Sequence, residues 1–312
     1  MQLQLKRSLA LAAAAAALLV ACGDDGDDTG EAGASPGGRE APADAPEAIV
    51  SLSPTATEML YAVGAGDQVV AVDDQSDFPE GVPVTDLSGY EPNLEAIAGY
   101  EPDLVVASDL PEDIATGLEA IEIEVLDISA AVTLDDTYAQ LAEVGIATGH
   151  EDEAADVVAQ MRSDIDELAA SVPERDAAPT YYHELDETLY SATSETFIGE
   201  LYALAGLENV ADPADPSGEF GGYPQLSSEF VVDADPDFVF LADGECCGQD
   251  ATTFAARPGF ADLTAVRDRN VVLVDEDMAS RWGPRAVDFL RSVIEATSGA
   301  TDEATTPAEV GG

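Results

Sequence analysis

The chain reads as an α/β protein of two related lobes. Each lobe carries a central, mainly parallel sheet, one long α-helix joins them, and a ligand cleft lies between. Three observations predict this class. Short apolar runs alternate with helical segments, which is the pattern of parallel layers. A central stretch over residues 135–171 keeps helical spacing of its apolar positions. The sequence on either side of that stretch repeats itself.

In order, Ile49–Leu52 predicts a short strand, and Ser53-Pro54-Thr55 turns into a helix over residues 56–63 that stops near Gly64 and Gly66. Val69–Val72 is the next strand, Leu94–Ala98 begins a helix, Leu104–Ala107 is a buried strand, and residues 121–125 are another. In the central stretch Leu141, Val144 and Ala147 lie on one face, followed by Ala154, Val157, Val158, Met161, Ile165 and Leu168. The second helix there has about 20 residues, so roughly 30 Å at 1.5 Å per residue. That length suits a rigid link.

The repeat is specific. Residues 60–69 lie over residues 201–210. Glu95 precedes Pro102-Asp103 by seven positions, as Glu229 precedes Pro236-Asp237, and each Pro-Asp leads into an apolar strand. The predicted division is residues 1–21 signal peptide, 22–47 disordered acidic tether, 48–134 N-terminal lobe, 135–172 helical segment, 173–297 C-terminal lobe and 298–312 disordered tail.

Composition narrows the function. The 312 residues hold 11 Lys+Arg against 64 Asp+Glu, a formal net charge of −53. Nothing offsets phosphate repulsion, so nucleic-acid binding is excluded, and adhesion to anionic lipid is disfavoured. Such a chain repels itself unless salt screens it. A salt-adapted source accounts for this, and so does compositional drift toward Asp, Glu and Ala.

The N-terminus reads as an export segment. Lys6 and Arg7 precede an apolar run over residues 9–20, too short to span a bilayer. Leu19-Val20-Ala21-Cys22 has the form of a lipoprotein signal with Cys22 as the lipidated residue; an ordinary secretory signal leaves Cys22 without a role. The Gly-, Pro- and acid-rich residues 23–47 read as a flexible tether and favour a lipid anchor on the extracytoplasmic face of the membrane. Gly33-Ala34-Ser35-Pro36-Gly37 within it matches a nucleophile-elbow pattern but has no strand before it and no helix after it.

The strings Val50-Ser51-Leu52-Ser53-Pro54-Thr55-Ala56-Thr57-Glu58, Gly89-Tyr90-Glu91-Pro92-Asn93-Leu94-Glu95 and Glu101-Pro102-Asp103-Leu104-Val105 resemble the class III solute-binding proteins of ABC importers. Tyr223-Pro224-Gln225-Leu226-Ser227-Ser228-Glu229 and Arg281-Trp282-Gly283-Pro284-Arg285 extend the resemblance over residues 48–296. It implies a rigid two-lobed clamp that takes up cobalamin, ferric siderophores or haem. It implies a permease and ATPase as partners, with Glu95 and Glu229 docking on permease arginines. The plainer role for each Glu is to stabilise a helix N-terminus. The protein is expected to be a monomer without a resident metal or cofactor, and its cargo a corrinoid or a ferric chelate. A sensor or scaffold of the same fold, or a carboxylate-based surface enzyme, is the alternative.

Loops at strand ends supply candidate ligand contacts. The first half offers Gln75, Tyr90 and Ser108; the second offers Tyr190, Tyr223, Cys246, Cys247, Asp277, Arg281 and Trp282. Tyr and Trp bury large areas while keeping a polar handle, which suits an amphipathic chelate. Trp282, the sole Trp, either meets ligand or packs. Arg281 and Arg285 either bind a ligand carboxylate or form a salt bridge within a lobe. Corrin-binding members carry extra aromatics where this chain has Gln75 and Ser108, which leaves the ligand open. Cys246-Cys247 either closes a vicinal disulfide or stays as two thiols near the cleft rim. His150, expected to be exposed, and His183 stand far apart, and no H-E-x-x-H, paired CxxC or P-loop pattern occurs. An enzyme is therefore not predicted.

Overall fold

Two four-stranded sheets with parallel pairing carry the architecture of the computed structural model, which describes residues 45–303, with side chains through residue 298. The predicted signal peptide, Cys22, most of the tether and residues 304–312 lie outside the described residues. The first sheet is built from β1 (Ile49–Leu52), β2 (Val69–Val72), β3 (Leu104–Ala107) and β4 (Glu124–Asp127), in the order β2-β1-β3-β4. The helices α1 (Pro54–Ala62), α2 (Leu94–Ala98) and α3 (Glu112–Glu119) connect its strands. Next come α4 (Leu134–Thr148) and the 21-residue α5 (Glu151–Ser171). The second sheet, from β5 (Thr180–Glu184), β6 (Glu208–Asn209), β7 (Phe238–Leu241) and β8 (Val271–Leu273), has the same order, β6-β5-β7-β8. Its connections hold α6 (Phe197–Leu204), α7 (Ser228–Ala234), α8 (Gly244–Cys247), α9 (Ala251–Ala255) and α10 (Thr264–Arg267). The chain ends in α11 (Glu276–Ser280) and α12 (Ala286–Glu303).

The sequence repeat has a physical basis in matched caps. Asn93 and Ser227 accept the N–H of Ala96 and Phe230 and so start α2 and α7. Glu101 and Asp235 then turn left-handed, with φ of 50° and 43°, just before each Pro-Asp. Asp103 accepts the N–H groups of Glu47 and Ala48 at the entry to β1, and Asp237 accepts that of Thr180 at the start of β5. The same aspartate in each half therefore pins the first strand to the third.

Alternate residues of the strands face different cores. Ile49, Leu104 and Val106 of the first sheet join Tyr181, Phe238 and Phe240 of the second in one large apolar cluster. That cluster also takes residues of α1, α4, α5, α6 and α12. The other faces go to local cores, with Val50, Leu52, Val105 and Ala107 on one side and Tyr182, Val239 and Leu241 on the other. Sheets buried on both faces explain why these strands read as unbroken apolar runs. A shared close-packed core also joins the two halves stiffly.

The predicted helical segment is a pair. Thr133 and Asp136 form a capping box at the start of α4, and Gly149, at φ 79°, ends it. At Gly145 an added Cβ would lie 2.4 Å from the Ala154 Cβ, so a glycine is what lets α4 and α5 approach. His150 is half-buried rather than exposed, because it caps α5 and its Nε2 hydrogen-bonds Gln68 Oε1 at 3.2 Å.

Two boundaries differ from the sequence expectation. The fourth strand begins at Glu124, not at residue 121, because Glu122 turns left-handed at φ 66° and Ile123 tucks back to donate to the Leu118 carbonyl. The tail predicted from residue 298 is helical through Glu303, since α12 carries on beyond its buried stripe of Phe289, Leu290, Val293 and Ile294.

Candidate functional site

A cavity of about 480 Å³ opens at the C-terminal ends of the first sheet's strands. Its walls come from the loops after β1, β2 and β3 and from the 277–282 segment that follows β8. Gln75, Tyr90, Ser108, Asp277, Arg281 and Trp282, six of the sequence candidates, line it together. Tyr90 stands at its edge, 87% exposed. Ser108 Oγ donates to Ser53 Oγ at 2.9 Å. Gly89 is required in the wall, since a Cβ there would sit 2.5 Å from the Leu52 carbonyl oxygen and 2.8 Å from Asp73 Oδ2.

Behind the wall runs a buried polar chain. Thr57 Oγ1 donates to Ser51 Oγ at 2.8 Å and also contacts Ser76 Oγ, which donates to Asp73. Burial pushes the Asp73 carboxyl up, against the pull of the Ser76 hydroxyl and the Arg281 charge.

The residue that organises the site is Glu58, on the buried face of α1. Arg281 Nη1 donates to its Oε1 at 3.0 Å; Arg285 donates through Nε to Oε2 at 3.0 Å and through Nη2 to Oε1 at 2.6 Å. Arg281 also reaches Asp77 Oδ1 at 3.2 Å, Asp277 Oδ1 at 2.6 Å and the Gln75 carbonyl at 3.2 Å. The salt bridge expected within a lobe is present as Arg281–Asp277, and the same arginines also bridge the halves, because Glu58 and Asp77 belong to the first half and both arginines to the last segment. Arg281 is 7% exposed and both of its terminal nitrogens are engaged by carboxylates, so it is not a free anion receptor. Sequence reasoning gave Glu58 no role, although it ends the first string of the family resemblance and is an acid inside the apolar stretch that continues as Met59-Leu60.

Trp282 packs, as one of its two readings had it, and also lies at the cavity. Its ring borders the cavity and packs on the shared core, Nε1 donates to Gln140 Oε1 at 3.0 Å, and its carbonyl accepts from Thr137 Oγ1 at 3.0 Å. Four candidates stand apart from this cavity. Tyr190 and Tyr223 are 41% and 45% exposed on loops beyond β5 and β6. Cys246 and Cys247 are joined as a vicinal disulfide on exposed α8, where Glu276 Oε1 accepts the N–H groups of Glu245 and Cys246. The disulfide is thus tied to the first residue of α11, one position from Asp277.

Glu95 and Glu229 occupy the second position of α2 and α7, and both are exposed. The start of each helix follows a strand's C-terminal end, so both acids belong to the edge of the sheets that bears the cavity. A second buried knot lies in the latter half. Arg257 grips Glu184 with two hydrogen bonds of 2.7 and 2.6 Å. Beside it burial and the Glu184 charge push the Asp243 carboxyl up to about 7. His183, fully buried with Nδ1 2.9 Å from Tyr202 Oη, is held neutral down to about 3 by desolvation. Among the described residues no group of three or more His, Cys, Asp and Glu is placed to hold a metal, and no helix is long and apolar enough to cross a membrane.

Residues 49–278 match the family model described as periplasmic binding protein. The chain belongs to that family. A cobalamin-binding protein of Halobacterium salinarum is 32% identical over 259 residues, 80% of this chain and 69% of the relative. An uncharacterized ABC transporter substrate-binding lipoprotein of Bacillus subtilis, YvrC, is 29% identical over 259 residues, 80% of this chain and 79% of the relative. Among solved structures, the vitamin B12 binding protein BtuF of Vibrio cholerae superposes with a TM-score of 0.66 at 25% identity, covering 82% of this chain and 98% of that one. The haem-binding protein RhuT from Roseiflexus shares the fold, with a TM-score of 0.72 at 23% identity over 81% of this chain and 98% of that one. This periplasmic binding protein is therefore a substrate-binding protein of an ABC transporter and not an enzyme; its relatives are extracytoplasmic, and proteins of this kind work with a permease and an ATPase.

Proposed function

We propose that this binding protein captures a corrinoid, or failing that a ferric siderophore, in the crevice between its lobes and delivers it to the membrane permease. The observation that carries the reading is the cavity at the strand ends, flanked by Tyr90 and Trp282 and closed by a segment from the other half of the chain. Its roughly 480 Å³ holds one part of a large chelate, and the rest lies in the open crevice. The cobalamin-binding relative supports a corrinoid over the other chelates. Absorbance or calorimetric titration in high salt against cyanocobalamin, a ferric hydroxamate and haemin tests it. Binding of cyanocobalamin is expected, and binding of none of the three would end the reading.

In this reading Glu95 and Glu229 dock on permease arginines, their matched positions suiting a two-fold partner. Glu95→Ala with Glu229→Ala abolishes uptake and leaves ligand affinity unchanged; transport persisting in the double variant rules the docking role out. The mature protein is a monomer anchored through lipid on Cys22, and its acidity suits a saline medium. The same reading expects Cys22→Ser to release it from membranes, and its melting temperature to rise with salt.

A further inference from the structure

We infer that Asp277 sets the charge class of the ligand: it occupies Arg281, withholds the cavity's guanidinium from ligand carboxylates, and so selects chelates bearing amides or other neutral groups. This rests on the reading of the cavity as a chelate site. The charged side chains lining the cavity are Asp73, Asp109, Asp277 and Arg281, three carboxylates to one cation. Both terminal nitrogens of Arg281 are already engaged. Nη1 is held by Glu58 and Asp77, and Nη2 by Asp277 at 2.6 Å and the Gln75 carbonyl at 3.2 Å.

The next cation, Arg285, does not line the cavity; Glu58 binds it twice, and its guanidinium covers the Phe78 ring at 4.5 Å. Of the three carboxylates that hold Arg281, Asp277 alone faces the cavity, since Glu58 is buried and Asp77 points to solvent with 70% of its side chain exposed. A guest carboxylate meets like charge there without a free cation to compensate it, a juxtaposition that weakens binding. An amide meets Ser53, Ser108 and Gln75, which can donate and accept. Asp277→Asn removes one negative charge and loosens the hold on Nη2, turning the same arginine toward an anionic guest.

The test compares paired probes that differ in carboxylate charge: cyanocobalamin against its derivative with one propionamide hydrolysed to carboxylate, and haemin against its dimethyl ester, which lacks both carboxylate charges and adds two methyl groups. In whichever pair binds, the uncharged member should bind about tenfold or more tighter. Asp277→Asn should narrow that gap, and by more than Asp109→Asn, which removes a cavity carboxylate that has no contact with Arg281. Retained affinity for the uncharged probe certifies that a variant is folded. Equal affinity within a pair for the unaltered protein overturns the inference, with no variant needed, and so does a gap that Asp277→Asn leaves unchanged. If no member of either pair binds, the chelate reading falls and this inference with it.

Discussion

Glu58→Ala is the most informative single perturbation of this molecule. The side chain is 2% exposed and pairs with two arginines whose own side chains are 7% and 13% exposed. Removing it leaves two buried guanidinium groups sharing only peripheral acids, Asp77, Asp277 and the 4.0 Å contact of Arg285 with Asp275. Breaking a buried pair from one side costs about 3–5 kcal/mol. At about 2–4 °C per kcal/mol for a domain of this size, the melting temperature should drop by about 10 °C. Asp77→Ala is the internal control. It removes another partner of Arg281 whose side chain is 70% exposed, and an exposed pair is worth about 0–1 kcal/mol. Thermal unfolding followed by circular dichroism at one fixed high salt concentration reads both variants. If Glu58→Ala melted within about 2 °C of Asp77→Ala, the argument that Glu58 fastens the two halves together would be wrong.

His183 and Asp243, both buried and perturbed, should pull the pH profile of stability in opposite directions. His183 stays neutral in the fold down to about 3, while the unfolded chain takes up its proton near pH 6.5. Its contribution is present above that pH and is lost as pH falls, so His183→Asn should flatten the acid side of the profile. The Asp243 carboxyl, raised to about 7, favours the fold below pH 3.8 and loses that advantage as pH rises through 7, so Asp243→Asn should flatten the neutral side. A variant whose melting profile stays parallel to the parent's would refute its own assignment. Mass spectrometry of the unreduced mature protein should give the disulfide form for Cys246-Cys247, two hydrogens below the dithiol; the dithiol mass would contradict the bond.

The strands were legible because parallel strands buried on both faces leave an unmistakable run of apolar residues, as Leu104–Ala107 and Phe238–Leu241 do. Their pairing was foreshadowed by the repeated Pro-Asp, whose carboxylate turned out to hold neighbouring strands together. β4 was less legible, since Ile121 and Ile123 look like strand residues but one is 50% exposed and the other packs under α3. In the site, loops after strands pointed to Tyr90, Ser108 and Trp282 with no knowledge of distance. Glu58 and its arginines were not legible as a unit because they are more than 220 positions apart and charge pairing follows only from tertiary placement. In a chain with 64 acids, composition cannot say which few are buried.

The pin at Asp103 has a mechanical consequence. It grips the chain at Glu47 and Ala48, where the polypeptide enters β1, and Gln68 Nε2 adds a hydrogen bond to the Pro46 carbonyl at 2.7 Å. β1 is an interior strand, laddered to β2 on one side and β3 on the other. A pull along the incoming chain would load both ladders in shear, many bonds at once, instead of peeling an edge bond by bond. The load also arrives at the end of the sheet opposite the cavity. A load on the incoming chain thus enters at one pole of the sheet while the mouth, at the other, keeps its shape.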